Sequence, residues 1–95
     1  MNKKSIQIAK STIAIEIEAL RLMSERLGEE FQSAVEIITA SSGRVAVLGM
    51  GKSGIIAKKI AATLASTGTT AFFVHPAEAF HGDLGMIQED DVVLM

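Results

Sequence analysis

Apolar and polar positions follow a helical period over the first quarter of the chain. Ile6, Ala9, Ile13, Ile17, Leu20 and Leu27 fall close to one stripe, with Ile8, Ile15 and Leu22 beside it, and predict a single long helix over residues 5–27. Residues 13–18, Ile-Ala-Ile-Glu-Ile-Glu, also alternate as a strand would. The length of the segment and its lack of Gly or Pro favour the helix. Gly28 breaks it. Residues 29–40 carry Phe31, Ala34, Val35 and Ile38 on one face and predict a second helix, which Ser41, Ser42 and Gly43 close. The pattern then changes to short apolar runs. Residues 44–48 read as a strand. A helix starting near Lys52 or Ser53 is expected to bury Ile55, Ile56, Ile60 and Leu64, with Ala57, Ala61, Ala62 and Ala65 allowing close approach to a sheet. Thr67, Gly68 and Thr69 make a turn, and residues 70–74 make a second strand that ends at His75 and Pro76, since proline cannot continue a ladder. Residues 76–80 suit a short helical turn, because proline is at home in the first helical position. Residues 81–85 read as a loop, and a third strand begins near Asp91.

The order ααβαβ(α)β implies an α/β fold: right-handed crossovers and a parallel sheet covered by helices. At 95 residues the chain is one small domain at most, with a thin core. An apolar content of 48% excludes disorder. With a net charge of −2 and no dense run of Lys or Arg, nucleic acid is a poor candidate partner. The lack of cysteine excludes disulfides, thiolate metal sites and a cysteine nucleophile. No apolar run approaches the roughly 18 residues of a membrane span. Gln7, Lys10 and Ser11 interrupt the segment that a signal peptide would need. A soluble cytoplasmic protein without a membrane partner is expected. The strand opening at residues 92–95 would lack the partners that should follow it, so the chain reads as a fragment of a longer protein.

The chemistry concentrates at Gly49-Met50-Gly51-Lys52-Ser53-Gly54, where a strand empties through a glycine turn into a helix. Backbone N–H groups and the positive end of the helix dipole converge at such a turn and suit a phosphate. A P-loop would need an upstream glycine at position 46, which is Ala46, inside the strand. A dinucleotide fold fits the glycine spacing, but needs an acid at the end of the second strand, and none occurs before Glu78. The third reading is a sugar-phosphate site, in which a lysine and hydroxyls replace the ribose-binding acid and His75, His81 and Asp83 add polar groups. Lys52 also reads as a solvated turn cation, Ser53 as a helix cap, and Gly68 with Thr69 as an ordinary turn.

Residues 49–54, together with Ala65-Ser-Thr-Gly-Thr69, Phe72-Phe-Val-His-Pro76 and Ala79-Phe-His-Gly-Asp-Leu-Gly85, resemble the sugar isomerase (SIS) domain of arabinose-5-phosphate isomerases from about residue 40 onward. The resemblance implies a flavodoxin-like three-layer sandwich, of which this chain holds the N-terminal half: a helical segment over residues 1–42 and the first half of the SIS domain over residues 43–95. It implies interconversion of arabinose 5-phosphate and ribulose 5-phosphate through an enediol, feeding Kdo and lipopolysaccharide synthesis. No cofactor is required. By the same resemblance Lys52 is catalytic, Ser53, Gly68, Thr69 and His81 bind substrate, and His75 is a position where zinc binds and inhibits. A homo-oligomer, dimer or tetramer, is implied too. The second phosphate loop, two glutamates and a histidine of the acid–base machinery, and paired CBS domains belong after residue 95, so this chain alone is expected to be inactive. A non-catalytic phosphosugar-binding SIS module and a SIS isomerase for another phosphosugar remain as alternatives.

Overall fold

The computed structural model describes residues 3–79 and 83–95. The elements are α1 (Lys4–Arg26), α2 (Glu29–Ala40), β1 (Val45–Leu48), α3 (Gly51–Ser66), β2 (Ala71–Val74), α4 (Pro76–Ala79), a 3-10 turn (Asp83–Met86) and β3 (Val92–Leu94). They follow the expected order. The difference lies at residues 83–86, which wind into a 3-10 turn where a plain loop was expected.

The chain divides into two compact units, residues 1–33 and 34–95. In the first, α1 is helical through the ambiguous stretch at residues 13–18, and it contains no buried residue. Arg21 pairs with Glu18 and Glu25 along the helix surface. Such exposed pairs contribute little to stability. Gly28 C=O accepts the Phe31 and Gln32 N–H groups and opens α2.

The second unit is built on a three-stranded sheet in the order β2-β1-β3. Both ladders are parallel, with Val45 opposite Ala71 and Val92, and Val47 opposite Phe73 and Leu94. Parallel neighbours need a crossover, and α3 provides the one between β1 and β2. Val45 and Val47 point to one face and form the core with Ala57 and Ala61 of α3; Ile38, Leu64, Ala71 and Phe73 pack around them. The buried stripe of α3 is thus Gly54, Ala57 and Ala61, and this corrects the sequence reading. Ile55 and Ile56 are 68% and 57% exposed, and Ile60 is exposed as well. Small residues along this stripe let the helix backbone approach the sheet, which turns the isoleucines outward.

An ion pair closes the amino end of the sheet. The Asp91 side chain, 2% exposed, accepts hydrogen bonds from the Arg44 guanidinium (2.8 Å), the Arg44 N–H (2.8 Å) and the Gln88 N–H (2.8 Å). Arg44 also donates to the Met86 C=O and lies 4.4 Å above the Phe72 ring. The Arg44 guanidinium, and then the two backbone N–H groups, hold the Asp91 carboxyl well below the usual carboxylate range. One side chain thereby fastens β3, and the segment leading into it, to the start of β1.

Candidate functional site

At the carboxyl end of β1, each glycine of the turn has its own physical reason. Gly51 has φ +57, the left-handed region. Gly49 and Gly54 lie backbone to backbone: a Cβ on Gly49 would come 2.6 Å from the Ser53 carbonyl oxygen, and one on Gly54 would come 2.9 Å from the Gly49 oxygen. The end of the strand therefore touches the first turn of α3. Met50 is the extended N-cap residue, with φ −126 and ψ 150. The Ser53 hydroxyl accepts the Met50 N–H (3.1 Å) and donates to the Met50 C=O (2.7 Å). The first intrahelical bond is Gly54 N–H to Met50 C=O. It leaves the N–H groups of Gly51 and Lys52 among the donors that every helix start presents, while the Ser53 N–H faces the Met50 side chain. Lys52 is exposed and forms no ion pair among the described residues.

Beside this turn lies an open hollow of about 360 Å³ lined by Leu48, Gly49, Met50, Ser53, Pro76 and Met95. It gathers the carboxyl ends of all three strands, the place where open α/β sheets take their ligands. Sequence reasoning did not assign Met50, Pro76 or Met95 to it. In the sequence Pro76 reads as a strand stop and a helix start, although a proline that ends one strand of a parallel sheet necessarily stands at that edge.

His75 sits at the same end, half-buried, after β2. Its Nδ1 accepts the Ala77 N–H at 3.1 Å, and its C=O accepts the N–H groups of Glu78 and Ala79. The ring therefore caps α4. As a metal position it offers a single donor, already engaged, and no group of three His, Cys, Asp or Glu able to hold a metal occurs among the described residues. Zinc normally takes about four ligands, so a zinc ion on His75 would need ligands from outside the described residues. His81 lies outside the described residues.

Gly68 and Thr69 are not at this end. They follow α3, whose 16 residues span about 24 Å, and they precede β2. The structure puts them at the amino end of the sheet. Gly68 adopts φ +101, and the Thr69 N–H closes the helix on the Leu64 C=O. Both line a separate hollow of about 340 Å³ with Ile38, Ser41, Gly43 and Val45. Gly68 and Thr69, which the sequence reading put in one site with Lys52 and Ser53, thus stand at the opposite end of the sheet from them within one copy of this chain. A pentose phosphate is far shorter than α3.

A glycine-turned strand–helix junction at the carboxyl edge of a parallel sheet, with a lysine in the first helical turn, is of the kind at which α/β proteins take phosphate groups. The family model described as SIS domain matches residues 38–95, and the chain belongs to that family. Among its relatives, the arabinose 5-phosphate isomerase KdsD of Pseudomonas aeruginosa is 58% identical over 93 residues, covering 98% of this chain and 28% of the relative. The arabinose 5-phosphate isomerase GutQ of Escherichia coli K12 is 54% identical over 94 residues, covering 99% and 29%. Among solved structures, an E. coli CFT073 protein in complex with arabinose 5-phosphate superposes with a TM-score of 0.88 at 45% identity, covering 98% of this chain and 50% of that one. The chain thus spans less than three tenths of the length of these curated relatives and carries the fold of about half of the solved chain.

Proposed function

We propose that this chain serves an aldose–ketose isomerase that interconverts arabinose 5-phosphate and ribulose 5-phosphate. Support comes from 58% and 54% identity to proteins named for that substrate, across nearly the whole chain. The observation that carries the reading is Lys52 in the first turn of α3, beside the hollow at the strand ends. A cation there opposes the helix dipole, so the helix gains nothing from it. A bound phosphate dianion, or an enediolate, gives it a counter-charge.

The reaction moves a proton between C1 and C2 through an enediol. The N–H groups of Gly51 and Lys52 suit the phosphate, each anion–dipole contact of this kind contributing about 0.3–1 kcal/mol. Lys52 then holds the phosphate or stabilises the negative charge that develops on the substrate oxygens. Ser53 reaches phosphate only by turning its hydroxyl away from Met50. We assign no part of the proton transfer to the described residues. The acid–base groups are then to be sought in the rest of the relatives' length, of which this chain covers 28% and 29%. The reading carries with it a cytoplasmic setting and supply of the sugar for Kdo and lipopolysaccharide. It also carries a homo-oligomer, for which the exposed isoleucines of α1 offer apolar surface. Among the described residues no helix is long and apolar enough to cross a membrane.

An isomerase assay on the full-length protein tests this. Lys52→Ala is expected to lower turnover by about 10²–10³, the usual cost of removing one charge-stabilising group. Unchanged turnover removes Lys52 from the chemistry. Tight binding of arabinose 5-phosphate by the full-length protein without any turnover favours the binding-module alternative.

A further inference from the structure

The sequence His75-Pro76 sets an unusual problem at the start of α4. Proline in the first helical position has no N–H, so the first donor in need of a partner is the Ala77 N–H. Helix starts usually meet that need with the side-chain oxygen of Ser, Thr, Asp or Asn. Here the His75 ring does it, with Nδ1 3.1 Å from the Ala77 nitrogen. An accepting Nδ1 must keep its lone pair. A neutral imidazole has one protonated nitrogen, so the proton sits on Nε2.

From this geometry we infer that His75 is a positioning residue. As the neutral Nε2–H tautomer it holds the first turn of α4, and with it Pro76 in the wall of the hollow at the strand ends; a divalent metal can take the ring only by undoing that cap. Both routes to a metal have this consequence. Ligation through Nδ1 uses the lone pair that accepts the Ala77 N–H. Ligation through Nε2 drives the ring proton to Nδ1, where two N–H donors then face each other. The cap is independent of the protein's activity, whereas its effect on ligand binding rests on the reading given under Proposed function.

Four measurements on this chain test the inference. Long-range ¹H–¹⁵N spectra of the His75 ring are expected to show a protonated Nε2 and a lone-pair Nδ1; the opposite tautomer overturns it. Amide exchange at Ala77 and Ala79 is expected to quicken about fivefold in His75→Ala, the usual effect of losing a cap. In His75→Asn, whose amide oxygen can accept the same N–H, exchange is expected to stay within about twofold of wild type. Equal exchange in the Ala and Asn variants overturns the cap. On addition of zinc chloride, ring resonances that move while Ala77 stays protected overturn the claim about metals. Loss of Ala77 protection in step with the ring, or no change at the ring, agrees with it. Arabinose 5-phosphate is expected to bind His75→Asn like wild type and His75→Ala several-fold more weakly. If His75→Ala loses the cap and binds equally well, the positioning role fails while the isomerase reading stands. If wild type does not bind and the ring and exchange results hold, the isomerase reading fails for this chain and the positioning role falls with it, leaving the cap alone.

Discussion

Gly49→Ala is the substitution on which the geometry of the turn makes its sharpest demand. The new Cβ would stand 2.6 Å from the Ser53 carbonyl oxygen and 2.9 Å from the Gly54 nitrogen. Even a weak C–H···O contact keeps carbon and oxygen about 3.3 Å apart, so strand and helix must separate by ~0.7 Å. The colliding atoms are main chain, and no rotamer change relieves them. Leu48 is paired with Val74, and Gly54 is buried against the sheet, so the shift disturbs ladder and core together. Overpacking of this kind costs about 1–3 kcal/mol, and the absence of a side-chain escape puts Gly49→Ala near the upper figure. About 3 kcal/mol is two powers of ten in the folding equilibrium. It is a large share of the roughly 5–15 kcal/mol typical of a domain. Urea unfolding followed by far-ultraviolet circular dichroism is the assay, and the midpoint is expected to fall by about 1–3 M. Gly28→Ala is the control. A Cβ there meets nothing within 4 Å, and the change is expected to stay within about 0.5 kcal/mol. Equal midpoints for Gly49→Ala and Gly28→Ala would refute the argument from close approach.

Gly51 isolates conformation from crowding, since a Cβ there meets nothing but φ is +57. Gly51→Ala is expected to cost about 1–2 kcal/mol, and Gly51→Asn less, because asparagine tolerates the left-handed region; the same urea assay ranks them, and equal costs would contradict the assignment. Ser53→Ala removes both bonds to Met50 and is expected to cost about 1 kcal/mol, with faster amide exchange at Met50; unchanged exchange there would show that the hydroxyl does not close the helix. The Asp91 carboxyl titrates below its unfolded value, so its contribution is complete above the unfolded pKa near about 4 and is lost as pH falls further toward the depressed folded value. Stability is expected to decline steeply with acid below about pH 4 in the wild type and less steeply in Asp91→Asn. Parallel acid profiles would mean that the pair with Arg44 does not hold β3.

The elements were legible wherever local pattern and backbone chemistry agree. Periodicity over residues 6–27 gave α1 despite the alternation at residues 13–18, because an uninterrupted stretch of that length fits no strand. The glycine turn was legible because spacing, strand and helix all meet there, and the structure adds that Gly49 and Gly54 are needed for each other's backbone. The buried face of α3 was misread, since hydrophobicity favours the isoleucines while close packing on a narrow sheet selects Gly54, Ala57 and Ala61. The pairing of Arg44 with Asp91 spans 47 positions of chain and left no local signal. The separation of Gly68 and Thr69 from Lys52 could have been foreseen: a helix that joins two parallel strands carries the chain from one end of the sheet to the other. The cap formed by His75 depends on a ring orientation that the sequence does not encode by itself, although the following proline hints at it.

The central claim is that the first turn of α3, with Lys52, receives a sugar phosphate. A ¹H–¹⁵N titration of this chain with arabinose 5-phosphate, repeated on Lys52→Ala, tests it most directly. The amides of Gly51, Lys52, Ser53 and Gly54 are expected to shift together and saturably, and the variant is expected to bind about tenfold more weakly, as for the loss of about 1.4 kcal/mol from one charge-assisted contact. Saturable shifts that spare these four amides, or equal affinity in Lys52→Ala, would contradict the claim.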